Sequence, residues 1–306
     1  MAGQVHATGN FAELLWPGIA HIWGTDYKDY PALYSQFFTV ESSDQNFEKE
    51  QQITGFPIAG IKEEGNEGYF SQMYQGYQKE YRHYTYSIGA VVTREMAEDD
   101  QYNVIKQIPK FLARSMREVE EVIAHNVINS GFTAPTSGGT PTADGVSFFN
   151  TAHPLVGGGT LSNTLATTAD LTQTSLEQAL TNIMDFTDDQ GLKKMFTAKT
   201  LVVPTASNFI ARKILETQYA VGSADNDKNI IASMPLKLVV SPYVTDNDSW
   251  YLVTDAPQGL KFKVRREAEL DRDNDFETQN LKLLETKRMS CGVTDSARAV
   301  FGVAGA

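Results

Sequence analysis

Apolar residues recur at Val104, Ile108, Phe111, Leu112, Met116, Val119, Val122, Ile123 and Val127, the spacing of one face of a long amphipathic helix. Glu98-Asp99-Asp100 offers capping carboxylates ahead of it, Pro109 is placed to start or kink it, and Gly131 to end it. From Pro109 to Ser130 such a helix runs roughly 33 Å at 1.5 Å per residue, enough to be the backbone of a domain. The 306 residues allow about two domains at roughly 150 residues each. A second unit follows with alternating character. Helices over 174–186 and 206–216 and strands over 199–203, 236–241 and 250–254 predict a small α/β layer. Residues 260–303 then read mainly as strand and are expected to return beside the long helix, which makes the first domain discontinuous.

Ahead of the helix the chain is rich in aromatics. Over 1–46, Phe11, Trp16, Trp23, Tyr27, Tyr30, Tyr34, Phe37 and Phe38 follow no sustained period, which predicts an extended arm that must lie on something, since each buried aromatic contributes about 1.5–3 kcal/mol. Residues 47–93 read as a long two-stranded excursion, with 51–62 outward, a turn at 63–68 and 69–93 returning. Tyr69, Tyr74, Tyr77, Tyr81, Tyr84 and Tyr86 line the return arm. Strand alternation puts Tyr77, Tyr81 and His83 on one face and Tyr84, Tyr86 and Ile88 on the other, so both faces need cover. An internal edge hairpin is the alternative. Residues 133–169 form a long Gly, Thr, Ser and Pro-rich connection holding a compact island, Asp144-Gly145-Val146-Ser147-Phe148-Phe149-Asn150-Thr151-Ala152-His153-Pro154.

Composition excludes several classes. With 41% hydrophobic and 21% charged residues the chain is too apolar to be disordered. A net charge of −12 disfavours nucleic-acid reading, and the basic clusters Lys261 to Arg266 and Lys287-Arg288 sit beside Glu267, Glu269, Asp271 and Glu285, as on a solvated or interfacial strand. No run approaches the roughly 20 apolar residues of a membrane span, and the first residues lack the pattern of a secretion signal, so folding in a cytoplasm is expected and a surface adhesin disfavoured. One cysteine, Cys291, rules out an intrachain disulfide or a Cys-based zinc cluster. Nucleophile-elbow, Walker and His-Glu-x-x-His motifs are absent. Asp271, Asp273 and Asp275 imitate the start of a calcium loop, but the glycine position holds Phe276 and the bidentate glutamate position Lys282. His153 reads as a turn histidine with backbone partners, and His125 and Cys291 as structural. Catalytic, metal and cofactor-binding residues are therefore predicted as none.

Val92-Thr93-Arg94-Glu95-Met96-Ala97-Glu98-Asp99-Asp100, the helix through Pro109-Lys110-Phe111-Leu112-Ala113-Arg114-Ser115, the island 144–154, Gly259-Leu260 and Asp273-Asn274-Asp275-Phe276 together resemble the major head proteins of tailed bacteriophages, including the Mu-like major head subunit group. The resemblance runs from about Phe47 to the C-terminus and rests on order and spacing, not on one motif. It implies an α+β fold of the Hong Kong 97 capsid type: an N-terminal arm (1–46), an extended β-hairpin loop (47–93), a discontinuous peripheral domain (94–169 and 260–306, spine helix about 109–130) and an α/β axial domain (170–259). It implies a major capsid subunit forming pentamers and hexamers in an icosahedral head that encloses double-stranded DNA without sequence-specific binding, assembled in the host bacterial cytoplasm and carried in the virion. A separate scaffolding protein, a portal and cement or decoration proteins are the expected partners, with no membrane. Expected subunit contacts are Tyr69, Tyr74, Tyr77, Tyr81, Tyr84, Glu63 and Glu64 in the loop and Trp16, Trp23, Tyr30 and Phe37 in the arm. Gly222, Asp225 and Asp227 are expected at the axial tip. An encapsulin-like nanocompartment protein is the alternative, and an acidic-site α/β enzyme a more remote one.

Overall fold

A computed structural model describes residues 11–93, 95–96, 104–217, 219, 228–275, 277 and 280–306, with backbone alone for 11–17. Gly222, Asp225, Asp227, Phe276 and the side chain of Trp16 lie outside the described residues.

Helix α1 (Phe11–Asp29) is followed by β1 (Thr39–Ser42), β2 (Phe47–Ile53), β3 (Gln75–Arg82), β4 (Tyr84–Val92) and the long helix α2 (Ile108–Asn129). Next come the short β5 (His153–Pro154) and β6 (Thr160–Leu161), α3 (Gln173–Met184), β7 (Ala198–Pro204), α4 (Asn208–Glu216), β8 (Lys237–Ser241) and β9 (Trp250–Thr254). The long strands β10 (Leu260–Asn274) and β11 (Leu281–Val293) and the short β12 (Val300–Val303) close the chain.

The first sheet has the order β1-β10-β11-β4. Its edge strand β1 runs parallel to β10 from Thr39↔Lys261 to Ser42↔Val264, and the other pairs are antiparallel. As expected, the late strands return to the long helix. Ala124, Val127 and Ile128 of α2 share a core with Phe262, Val264 and Met289 of the sheet. The second sheet, β12-β9-β7-β8, is mixed, with β7 and β8 parallel. Strand alternation gives it two buried faces. Leu201, Val203, Trp250, Leu252 and Phe301 pack under α3 and α4, while Val202, Tyr251, Val253 and Val300 join the α2 core.

Two expectations change form. Residues 11–29 are helical, not extended, and residues 30–46 fold back on the body, because Ile19 and Trp23 find an apolar seat against Leu112, Leu270 and Leu283. The return arm also divides. β3 pairs with β2, whereas β4 pairs with β11 in the first sheet, so the two-stranded hairpin reaches only Ile53 and Gln75. Residues 54–74 carry no strand.

Candidate assembly surfaces

The β2–β3 hairpin grows from a buried electrostatic base. Lys263, 3% exposed, is ringed by three carboxylates: Glu48, Glu50 at 2.5 Å and Glu41 at 3.2 Å. Lys261 adds contacts to Glu50 at 2.9 Å and Glu41 at 3.3 Å. Burial opposes the charge on Glu48 and Glu50, but hydrogen bonds from Lys263, with Ser43 and Thr294, hold both carboxyls below their usual range. Tyr81 lies beneath Lys263 and hydrogen-bonds Thr294 Oγ1 at 2.7 Å, while Gln52 donates to the Thr294 carbonyl at 2.9 Å. Lys263 is thus not on a solvated strand face, and neither is Lys287, because each meets acids contributed by another element. Tyr81, singled out as a subunit contact, is taken up by this base and is 2% exposed.

Beyond the base the hairpin presents apolar groups to solvent. Ile61 is 98% exposed and Phe70 89%, and Ile53, Phe56, Ile58, Tyr69, Met73 and Tyr74 are also exposed. Glu63 and Glu64 lie exposed at the outermost turn, where Asn66 N donates to the Glu63 carbonyl at 3.2 Å. Tyr84 is exposed and Tyr77 half-buried. The tyrosines were the visible signal. Ile58, Ile61 and Phe70 were missed, although an apolar residue in an aperiodic, glycine-rich stretch with no core to join is itself a sign of an unpartnered contact.

The arm is locked to α2 by a second network. Glu120, fully buried, accepts from Lys287 at 2.9 Å, Arg117 at 2.9 Å, Tyr34 at 2.9 Å and Tyr27. Burial would raise its carboxyl, but Lys287, Tyr27 and Arg117 hold it below the usual range. Glu121 accepts from the Leu33 and Tyr34 N–H groups at 2.5 and 3.1 Å, and burial pushes it up to about 7. His125 bridges the Glu121 carbonyl and Ser241 Oγ, each at 2.8 Å. Phe37, expected at a subunit contact, is a core residue against His125 and Phe38. Trp23 packs within the chain on Tyr27, and Tyr30 remains exposed.

In the second unit Tyr219 and Lys228 form an antiparallel bridge. Phe209 on α4 and Met195 nearby in sequence are 80% and 77% exposed. The island is a buried polar knot. His153 meets Asp144 Oδ2 at 2.6 Å through Nδ1, and the Phe148 carbonyl and Asn163 Oδ1 at 3.2 and 3.1 Å through Nε2. Asn163 donates onward to the Ser296 and Val300 carbonyls at 3.0 and 3.2 Å. Phe149 is wedged so closely between Gly131 and Gly302 that a Cβ at either would collide with its ring. His153 has a backbone partner, as expected, together with Asp144 and Asn163. Cys291 donates to the Ile123 carbonyl at 3.3 Å, and burial pushes its thiol up to about 12. Asp271 and Asp273 are exposed on β10, and Lys282 pairs with Asp275 at 3.2 Å. Among the described residues no cluster of three or more His, Cys, Asp or Glu side chains is set to hold a metal, and no helix is long and apolar enough to cross a membrane.

Solved structures share this architecture. The structure titled Microbacterium phage Oxtober96 aligns with a TM-score of 0.58 at 11% identity, covering 90% of this chain and 92% of that one. The capsid of the cyanophage P-SCSP1u gives 0.59 at 10% identity, covering 90% and 88%. A virus-like particle from Pyrococcus furiosus gives 0.52 at 11% identity, covering 93% and 97%. At such identities the likeness carries the fold, and the expected Hong Kong 97-type α+β architecture is borne out. No curated protein sequence matches the chain. The family model for phage capsid proteins matches residues 76–304, and with three quarters of its length inside that match the chain belongs to the phage capsid protein family and is a structural subunit of a capsid shell.

Proposed function

We propose that the chain is the major subunit of a tailed-phage head, acting by shape and not by catalysis. It assembles with copies of itself as hexamers and pentamers in an icosahedral shell around double-stranded DNA. Residues 1–46 serve as the arm, 47–93 as the extended loop, 94–169 with 260–306 as the peripheral domain and 170–259 as the axial domain. Tyr69, Tyr74, Tyr84, Glu63 and Glu64 are the proposed loop contacts, with Ile58, Ile61 and Phe70 added. A scaffolding protein, a portal and cement proteins are its proposed partners during assembly in the host bacterial cytoplasm. One observation carries the reading: a firmly anchored hairpin bears exposed apolar side chains that none of the described residues covers. Burying such groups on a neighbour gains about 1.5–3 kcal/mol each, and many overlapping copies multiply weak contacts into a stable closed shell. The match to phage capsid proteins favours a head over a cargo compartment.

The test is electron microscopy and light scattering of the chain co-expressed with its neighbouring head genes, beside a triple variant Ile58→Ser, Ile61→Ser, Phe70→Ser. The variant is expected to fold yet fail to form closed shells. Unchanged particle yield and heat resistance would remove the loop from the assembly mechanism.

A further inference from the structure

On β11 the residues turned toward α1 and α2 alternate as Leu281, Leu283, Glu285, Lys287 and Met289. Lys287 has its counter-charge in Glu120, but Glu285 does not share that arrangement. It is fully buried, and among the described residues neither carboxylate oxygen has a hydrogen-bond partner. Directly across the sheet stand two aliphatic residues, Ile88 on β4 and Leu270 on β10. From above, α1 supplies Trp23, whose indole N–H acts on Glu285 but falls short of hydrogen-bond geometry and is itself buried without a partner. A fourth buried atom without a hydrogen bond, Asp26 Oδ2, lies on the same helix, 3.8 Å from Lys110. The seat of α1 therefore concentrates unmet polar groups, while Ile19, Trp23 and Tyr27 supply its attraction.

We propose that Glu285 is a proton-operated latch for α1: uncharged, it is tolerated among aliphatic neighbours and the helix stays seated, whereas charged, it drives the helix off so that water reaches the carboxylate. A buried carboxylate without hydrogen bonds is costly, and its cheapest relief is either a proton or exposure. Among the described residues the charged groups that act on it are Glu120 and Arg117 on α2 and Lys287 on β11. Glu120 disfavours its charge and the two cations favour it, so they partly cancel. Burial dominates and pushes Glu285 up to about 7. The sign follows: for an acid bound more tightly to its proton in the seated state, seating strengthens as pH falls below about 7 and weakens as pH rises.

The experiment is limited proteolysis of the full-length chain in the segment between α1 and β1, with Trp fluorescence read in parallel. Between about pH 6 and pH 8 the released population should rise about tenfold, the linkage expected when the carboxyl returns to its ordinary value on release. Glu285→Gln keeps the shape without the charge and should hold cleavage slow and flat across that range. Glu121 also titrates near 7 and grips Leu33 and Tyr34, so Glu121→Gln is the companion variant and should retain the pH dependence. A wild type whose cleavage does not change, a Glu285→Gln variant that keeps the dependence, or its loss in Glu121→Gln alone would each overturn the proposal. None of these readouts requires that shells form.

Discussion

Asp144 lies in an irregular segment, yet three parts of the chain depend on it. It accepts from His153 at 2.6 Å and from Ser296 Oγ at 3.0 Å, and through His153 and Asn163 it reaches the backbone of β12. Burial opposes its charge, but hydrogen bonds from His153 and Ser296 hold its carboxyl below the ordinary 3.8. Its contribution is therefore present above that ordinary value and is lost as pH falls through the lower folded value. Asp144→Ala should cost about 3 kcal/mol, because donors remain buried without their acceptor, and a urea titration at neutral pH would read this as a lower midpoint. The sequence showed that the island was a unit and that His153 was structural. It did not show the pairing, since Asp144, His153 and Asn163 lie in a connection without a period, and nothing local sets which polar groups meet.

Elements with a strong internal period were legible. α2 begins and ends within a residue of its expected bounds, and β7, β8 and β9 of the second sheet each start and stop within a residue of the strands expected over 199–203, 236–241 and 250–254. α1 was not, because Pro17, Gly18 and Gly24 work against a helix, and it is packing of Ile19 and Trp23 that favours one. The return arm hid its division at His83, where the chain leaves one partner strand for another. His83 meets Ser43 Oγ at 3.1 Å and Ser290 Oγ at 3.0 Å at that switch, and a period of two runs through it unchanged. Lys263 is the element-level keystone. Lys263→Met should leave Glu41, Glu48 and Glu50 facing one another and destabilise the hairpin base by about 3 kcal/mol, visible as faster hydrogen exchange in β2 and β3 than in β7 or β9. In the wild type the depressed Glu48 and Glu50 values place the acid limit of this base below their ordinary 4.5, with the stabilisation present above it.

Across the whole molecule the second sheet is common property, with one face in each major core. The two halves cannot separate without exposing Tyr251 and Val253 on one side or Trp250 and Leu252 on the other. A single calorimetric transition is expected, and Leu252→Ala should lower it as one event, at a cost of about 3 kcal/mol. Two resolved transitions would mean that the halves unfold independently. The parallel pairing of β1 with β10 has a consequence in time. Val264, the partner of Ser42, leaves the ribosome long after the segment it must hold. At about 5–20 residues per second the delay is roughly 10–40 s, during which the aromatic leader has no edge to join. A nascent or truncated chain is therefore without its outer strand and the footing of its first helix, and assembly is postponed until translation has almost finished.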